Sequence, residues 1–361
     1  MKISFSDYDF TDFIIKEGIF CGIPAKLIIP NDITVKFTQK NKIFRSSIWD
    51  LDGNLLSASF AKFTNFGENP DNFPVPTSLD NTNILTKIDG STLIIDYVDR
   101  QLNMRTRGVF NYITQDNAKD FELVLQKYPA IEDFIKEYRQ FSLIFEIVSP
   151  HQRIILNYGD EPDIYFIGAV YKDNYELARQ KLLDVFAAEM MVKRPKYWNF
   201  PSTDEMIKSI TDNKEIEGVC LYSNGDQNIH KCKTARYIIL HKLKSELSSF
   251  DKIIDLYLVQ NKPNFKDFYE FVLKTFDFEL AEMVRENLEK CCMLGIWTQN
   301  VLDEIAKFVS NLDKSLGRKD AALKILTEYR EKELDSFAFT FLSNKPIDNK
   351  LFKKLMEKLD K

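Results

Sequence analysis

Between His241 and Lys361 only Gly295, Gly317, Pro263 and Pro346 interrupt a run of helix-forming residues. Inside a helix, glycine costs about 1 kcal/mol and proline about 3 kcal/mol relative to alanine, so a stretch this poor in both is suited to long helices. Apolar spacing predicts them at roughly 243–260, 264–276, 277–293, 298–311, 318–330 and 346–360. Upstream, short apolar runs are bounded by Asn, Asp, Gly and Pro, which is the pattern of strands and turns. The chain therefore reads as an α+β body of antiparallel sheets with flanking helices, followed by an all-α unit. Its domains are expected at 1–245 and 246–361, with the change near 240–248.

Within the body, Ala25–Pro30, Ile43–Trp49 and Leu55–Phe60 read as strands, the last two joined as a hairpin through Asp52-Gly53-Asn54. A loop over Thr64–Asp80 leads to a strand from Thr92 to Val98, with Arg105–Phe110 as the next. Asn117–Tyr138 has helical spacing, with Phe121, Val124, Leu125, Tyr128, Ile131, Phe134 and Ile135 on one face. Three strands, Leu143–Val148, Arg153–Tyr158 and Ile164–Val170, are followed by helices over about Tyr175–Met190 and Thr203–Asn213. Glu217–Tyr222 and Lys231–Tyr237 are the final strands, linked by Ser223-Asn224-Gly225-Asp226.

Of the 361 residues 44% are hydrophobic, as in ordinary globular proteins, and the formal net charge is −5. That charge excludes a uniformly basic nucleic-acid coat and confines any polyanion site to a local concentration of Lys and Arg. Cys21, Cys220, Cys232, Cys291 and Cys292 lack the spacing of a structural zinc site and point to a reducing compartment. Met1–Asp7 has no signal-peptide core and no run reaches membrane-spanning length, so a soluble cytoplasmic protein without membrane association is expected.

Charges recur where a core strand would have none. Lys87 in Lys87-Ile88-Asp89-Gly90-Ser91 opens an apolar run, and it is a possible nucleophile if neighbouring cations or a metal depress its pKa. Asp89 and Ser91 are placed to orient ligand groups, and Gly90 permits close backbone approach or positive φ. Glu146 is flanked by apolar residues on both sides, and Glu217 heads a strand. Lys231 and Lys233 fall on one face at a period of two. Taken alone, each is an ordinary edge or solvated charge. Together they supply a nucleophile, two carboxylates able to hold a divalent metal and a sugar hydroxyl, and two cations able to hold a phosphate. Cleavage of an α–β phosphoanhydride needs such a set.

Taken in order, Lys87–Ser91, Arg105-Thr106-Arg107-Gly108, Phe145–Val148, Ile164–Val170, Glu217–Tyr222 and Lys231-Cys232-Lys233 resemble the signature elements of covalent nucleotidyltransferases, the polynucleotide ligases and capping enzymes. Phe44-Arg45, the stretch Ala61–Pro70 and the Pro-x-x-Arg-Ile turn after Phe145-Glu146 make the chain most similar to the phage RNA ligase 1 family over residues 40 to 245. The helical tail matches that family in type and length rather than in motif.

The resemblance implies a nucleotidyltransferase domain of the ATP-grasp-like ligase class. It makes Lys87 the site of AMP attachment, with Asp89, Gly90 and Ser91 shaping its loop. Glu146 would contact ribose and metal, Glu217 the metal, and Lys231 and Lys233 the α-phosphate. Arg45 and Lys62 would handle pyrophosphate or an RNA phosphate, Arg107 a ribose or phosphate, and Tyr165 or Phe166 would stack on adenine. ATP and Mg2+, with Mn2+ as a substitute, are the implied cofactors. The implied substrates are RNA ends bearing 5′-phosphate and 3′-hydroxyl, broken tRNA among them. A polynucleotide kinase-phosphatase is the implied partner, and a host cytoplasm the implied location if the chain is phage-encoded. A DNA ligase or GTP-using capping enzyme would share the body, but such enzymes usually continue into an oligonucleotide-binding barrel where this chain continues into helices. A non-catalytic RNA-binding pseudoenzyme is the further alternative. The helical unit, with Lys314, Arg318 and Lys319 among its basic residues, would set RNA choice.

Overall fold

A strand buried along its whole length must be covered on both faces, and every residue of Phe141–Val148 is buried. The computed structural model, which describes residues 1–32, 35–68, 71–112, 118–211, 213–247, 249–275, 278–313 and 315–360, shows how the cover is supplied. The chain starts with β1 (Phe13–Phe20), β2 (Ile23–Pro30), β3 (Ser47–Asp50), β4 (Leu55–Ser57) and β5 (Thr64–Asn65). After these come β6 (Asn83–Lys87), β7 (Ser91–Val98), β8 (Gln101–Arg105) and the helices α1 (Ala118–Lys127) and α2 (Ala130–Glu137). β9 (Phe141–Val148) and β10 (Asp163–Tyr171) lead to α3 (Gln180–Met190), β11 (Tyr197–Trp198) and α4 (Thr203–Thr211). The hairpin of β12 (Gly218–Ser223) and β13 (Asn228–Lys233) follows.

These strands make three sheets, ordered β1-β2-β3-β4, β10-β9-β7-β8 and β11-β6-β12-β13-β5. The β13–β5 pair is parallel. On one face of the second sheet, Leu93, Phe145 and Phe166 pack with Phe121, Ile131, Phe134 and Phe186 of α1 to α3. On the other, Ile144 and Val170 share a core with Trp49 of the first sheet and Cys220 and Tyr222 of the third. Glu146 alternates onto this second face, so the buried carboxylate looks toward the other sheets.

The chain divides into two compact units, Met1–Ile239 and Leu240–Lys361, and α5 (Ala235–Leu247) carries it from one to the other. The second unit holds α6 (Phe250–Val259), α7 (Phe265–Thr275), α8 (Phe278–Ser310), α9 (Arg318–Tyr329), α10 (Asp335–Leu342) and α11 (Asn349–Leu359). Phe268, Leu288, Ile325, Phe337 and Phe352 are buried in its core.

Several expectations are corrected. The helices expected at 277–293 and 298–311 are one 33-residue helix. It runs through Gly295 because the missing Cβ leaves room for the Tyr257 hydroxyl, which such a Cβ would meet at 2.2 Å. α10 is an additional helix, built from the Phe-rich run Asp335–Leu342. The helix expected over Asn117–Tyr138 is two, divided at Pro129. Strand β8 stops at Arg105, Ile43–Arg45 lies in a 3-10 turn, and Ala235–Tyr237 opens α5 rather than extending β13. Arg153–Tyr158 is not a strand. Asn69, Pro70 and Lys314 lie outside the described residues. Arg318 and Lys319, both exposed, open α9.

Candidate active site

Period-two alternation puts the lysines of the third sheet on one face. Lys87 follows Leu85 along β6, and Lys231 and Lys233 follow Ile229 along β13; Leu85 and Ile229 both point into the core shared with the second sheet. Register completes the grouping, because Gly218 pairs with Lys87 on one side and Lys233 on the other. Glu217, one residue earlier and 2% exposed, accepts from both: Lys87 Nζ lies 2.5 Å from Oε2 and Lys233 Nζ 2.9 Å from Oε1.

The electrostatics of the free protein hold Lys87 in its charged form. Burial pulls the Lys87 ammonium down, but the carboxylates of Glu217 and Glu146 outweigh it, and the group stands above the ordinary lysine value. Lys87 is thus held charged until Glu217 is drawn elsewhere. Burial pushes the Glu146 carboxyl up to about 7, with Lys87 and Arg107 pulling it down and Glu217 and Asp89 pushing it up. It also lies at the limit of hydrogen-bond reach of the Thr92 hydroxyl, 3.5 Å away.

Asp89 shapes the loop after Lys87. Its carboxylate is 3% exposed and accepts from the amides of Ile155 and Leu156, both at 2.8 Å, and from the Tyr237 hydroxyl at 2.6 Å. Its own amide donates to the Tyr158 hydroxyl at 2.9 Å. These bonds explain the missing strand: amides that a sheet partner would have taken are taken by a carboxylate. They also leave Asp89 as the organiser of the loop rather than as an open ligand contact. Gly90 serves close approach and not positive φ, since a Cβ there would sit 2.3 Å from the Ile147 carbonyl oxygen. Ser91 begins β7 opposite Ile147, half-buried. The local pattern did not single out Tyr237 and Tyr158. Read as strand, Tyr237 falls on the face of the two lysines; the first turn of α5 brings its ring to the same place, under Lys233 Nζ at 4.8 Å.

Further cations converge on the lysines. Arg45 is half-buried with its guanidinium over Phe63 at 4.7 Å, and Lys231 Nζ lies 5.8 Å from the same ring. Burial and the nearby Arg107 lower Arg45 to about 10. Burial, then Arg45, Lys233, Lys87 and Lys62, lower Lys231 to about 8. Lys62, over Phe37 at 5.2 Å, is also lowered, by burial first and then by Arg45. Like charges held together without an anion store unfavourable energy that a phosphate would release. The folded Lys231 value lies below 10.5, so the cost is present at neutral pH and relieved as pH rises from about 8 to 10.5. Lys231→Met is therefore expected to raise the neutral-pH Tm by about 2–4 °C, as calorimetry would record.

The two aromatic candidates separate. Phe166 is fully buried against Phe145 in the helix-covered core, which corrects its expected role at a ligand face. Tyr165 is half-buried, pairs with Glu146 across β10 and β9, and contacts Tyr158 edge-on at 5.9 Å. A small cleft beside Asp89 is lined by Val148, Pro150, Leu156 and Tyr158. Glu146 and Glu217 offer hard oxygen donors, and no group of three or more ligating side chains occurs among the described residues. Two carboxylates suit a cation such as Mg2+ that keeps waters and shares its remaining positions with substrate phosphates. Among the described residues no helix is long and apolar enough to cross a membrane.

No family model matches the chain. Over 222 residues it is 25% identical to a protein of Autographa californica nuclear polyhedrosis virus provisionally named as a bifunctional polynucleotide kinase/RNA ligase. The match takes in 56% of this chain and 31% of the viral protein, so the chain spans about a third of that relative's length. Among solved structures, an archaeal ATP-dependent RNA ligase aligns over 86% of this chain and 82% of its own, at 10% identity and a TM-score of 0.44. A Naegleria gruberi RNA ligase with pyrophosphate aligns over 63% and 76%, at 13% identity and a TM-score of 0.41. A DNA ligase of Aquifex aeolicus, provisionally assigned as ATP-dependent, aligns over 81% and 77%, at 14% and 0.47. These structural likenesses are distant.

Proposed function

We propose that the chain is an ATP-dependent RNA ligase that works through a lysyl-AMP intermediate. The observation that carries this reading is the sharing of Glu217 by Lys87 and Lys233, with Glu146 close enough to shift Lys87. The prospective nucleophile is held by the carboxylate that would take the metal. The similarity to a relative named as a kinase and RNA ligase adds support.

In the first displacement the Lys87 amine attacks the α-phosphorus of ATP, the bond to pyrophosphate breaks, and a phosphoramidate to AMP forms. Glu217 Oε2 holds the Lys87 ammonium in the free protein, and a cation that drew Glu217 away would let the proton leave to solvent before the attack. A divalent cation held by Glu217 and Glu146 would supply Lewis-acid neutralisation of the phosphate oxygens. Lys231 and Lys233 hold the α-phosphate, Arg45, Lys62 and Arg107 the departing pyrophosphate or an RNA phosphate, and Tyr165 lies against the base. In the second displacement a 5′-phosphate oxygen of RNA attacks the same phosphorus and frees Lys87. In the third, a 3′-hydroxyl attacks the RNA phosphorus, forms the phosphodiester and expels AMP. The helical unit selects the RNA, broken tRNA being the expected class, with end-healing by a kinase-phosphatase in the cytoplasm.

Incubation with Mg2+ and ATP or GTP labelled at the α-phosphate tests this. Label on the polypeptide from ATP is expected. Label from GTP alone would indicate a capping enzyme, and none from either would overturn the nucleotidyltransferase reading. The pH profile is a second check. With the Lys231 ammonium holding the α-phosphate, ATP affinity measured without metal should weaken as pH rises through about 8.

A further inference from the structure

Arg105 is the one arginine of the Arg105–Gly108 motif that no ligand can touch, for it is 0% exposed. Its guanidinium donates from Nε to the Ser57 hydroxyl at 2.8 Å, from Nη1 to the Ser46 hydroxyl at 2.8 Å, and from Nη2 to the Ser46 carbonyl at 3.1 Å. A longer bond from Nη1 reaches the Thr106 carbonyl at 3.3 Å. Behind it, the Ser57 and Ser142 hydroxyls both donate to Asp96, which is also 0% exposed. In front of it, the Ser46 hydroxyl donates to the Arg107 carbonyl at 2.8 Å.

We propose that Arg105 is a positioning residue: with Ser46 as relay it holds the backbone of Arg45 and Arg107, so that two mutually repelling guanidiniums stay together before any anion arrives. Ser46 immediately follows Arg45, and its hydroxyl bridges the guanidinium of Arg105 to the carbonyl of Arg107. Arg107 is near enough to lower Arg45, so the two cations repel, and Arg45 is itself half-buried. Holding them from behind needs a group that offers several donors in a fixed plane, which guanidinium does and ammonium does not. The buried counter-charge of Asp96 lets that cation remain in the interior. An anion entering such a site finds its donors already placed, with less reorganisation to make on binding. This inference rests on the phosphate-binding role proposed above for Arg45 and Arg107.

Arg105→Met would strip the Ser46 and Ser57 oxygens of their buried donor, leave Asp96 with Lys172 at 3.7 Å as its remaining cation, and is expected to destabilise the whole fold, so the informative change is Ser46→Ala. It cuts the relay to Arg107 and leaves the Arg105–Ser57–Asp96 chain intact. ATP binding, followed by calorimetry with no reaction required, should weaken about tenfold, the effect of one lost hydrogen bond to a charged group. Wild-type secondary structure should be retained. A double-mutant cycle distinguishes positioning from general loosening. Once Arg107→Ala has removed the guanidinium, adding Ser46→Ala should weaken ATP binding less than twofold further. Full additivity, or a Ser46→Ala protein that binds ATP like the wild type, overturns the proposal. The two readings fail differently: a protein that binds ATP with this coupling but never takes label refutes the ligase and leaves the strut, whereas normal labelling in Ser46→Ala does the reverse.

Discussion

Lys87→Ala should take no label from ATP carrying a labelled α-phosphate, a loss of at least about a thousandfold, because removal of a covalent nucleophile leaves no group to accept the AMP. Digestion of the labelled wild type should place AMP on the peptide containing Lys87 and on no other lysine. Lys231 and Lys233 offer a stringent comparison, since they share its face and neighbourhood. Lys87→Arg separates charge from chemistry: a guanidinium keeps a cation opposite Glu217 but stays protonated and does not attack phosphorus. It should fold like the wild type and remain unlabelled. Label on Lys87→Arg, or on Lys231 in either variant, would remove Lys87 from the centre of the reaction.

Glu217→Ala should have the second-largest effect, and on two readouts at once. Lys87 and Lys233 both lose their nearest acceptor in a pocket where their side chains are only 19% and 24% exposed. A loss of about 1–3 kcal/mol of stability is expected, less than for a wholly buried pair because solvent still reaches both ammoniums. The sign follows from Lys87. Its folded value is raised, so the stabilisation is fully present below the ordinary lysine value and is lost only as pH rises through the folded one; at neutral pH all of it is at stake. Adenylylation should fall by about 10²–10³-fold through loss of the carboxylate proposed to hold the metal. Urea denaturation beside a labelling time course measures both. Unchanged stability with wild-type labelling would show the ion pairs to be incidental.

Much of this arrangement was legible because its parts break a simple rule. A carboxylate in Phe145-Glu146-Ile147 and a pair of lysines at a period of two conflict with strand burial, and such conflicts mark sites. Legibility failed where a side chain competes with the backbone. Arg153–Tyr158 alternates like a strand, but Asp89 claims the amides of Ile155 and Leu156 from far along the chain, and no local pattern reveals that. The division of α8 expected at Gly295 failed for a related reason: helix propensity treats glycine as a cost, while packing against Tyr257 makes it a fit. Arg105 and Arg107 look equivalent in sequence, yet one is wholly buried and the other exposed. Only the tertiary surroundings separate the buried guanidinium from the exposed one.

The strand order of the third sheet also bears on how the protein is made. β6, which ends on Lys87, is flanked by β11 and β12, both encoded more than a hundred residues later, and Lys233 closes the ion-pair cluster from β13. Closing so long a loop is entropically unfavourable until the partner strands exist to reward it. A nascent chain therefore carries Lys87 out of the ribosome long before it carries Glu217. Throughout that interval the lysine lacks the carboxylate of Glu217 that pairs with it in the folded unit. The cluster of Lys87, Glu217 and Lys233 therefore closes only once nearly the whole first unit has emerged, and a shorter nascent chain does not display it.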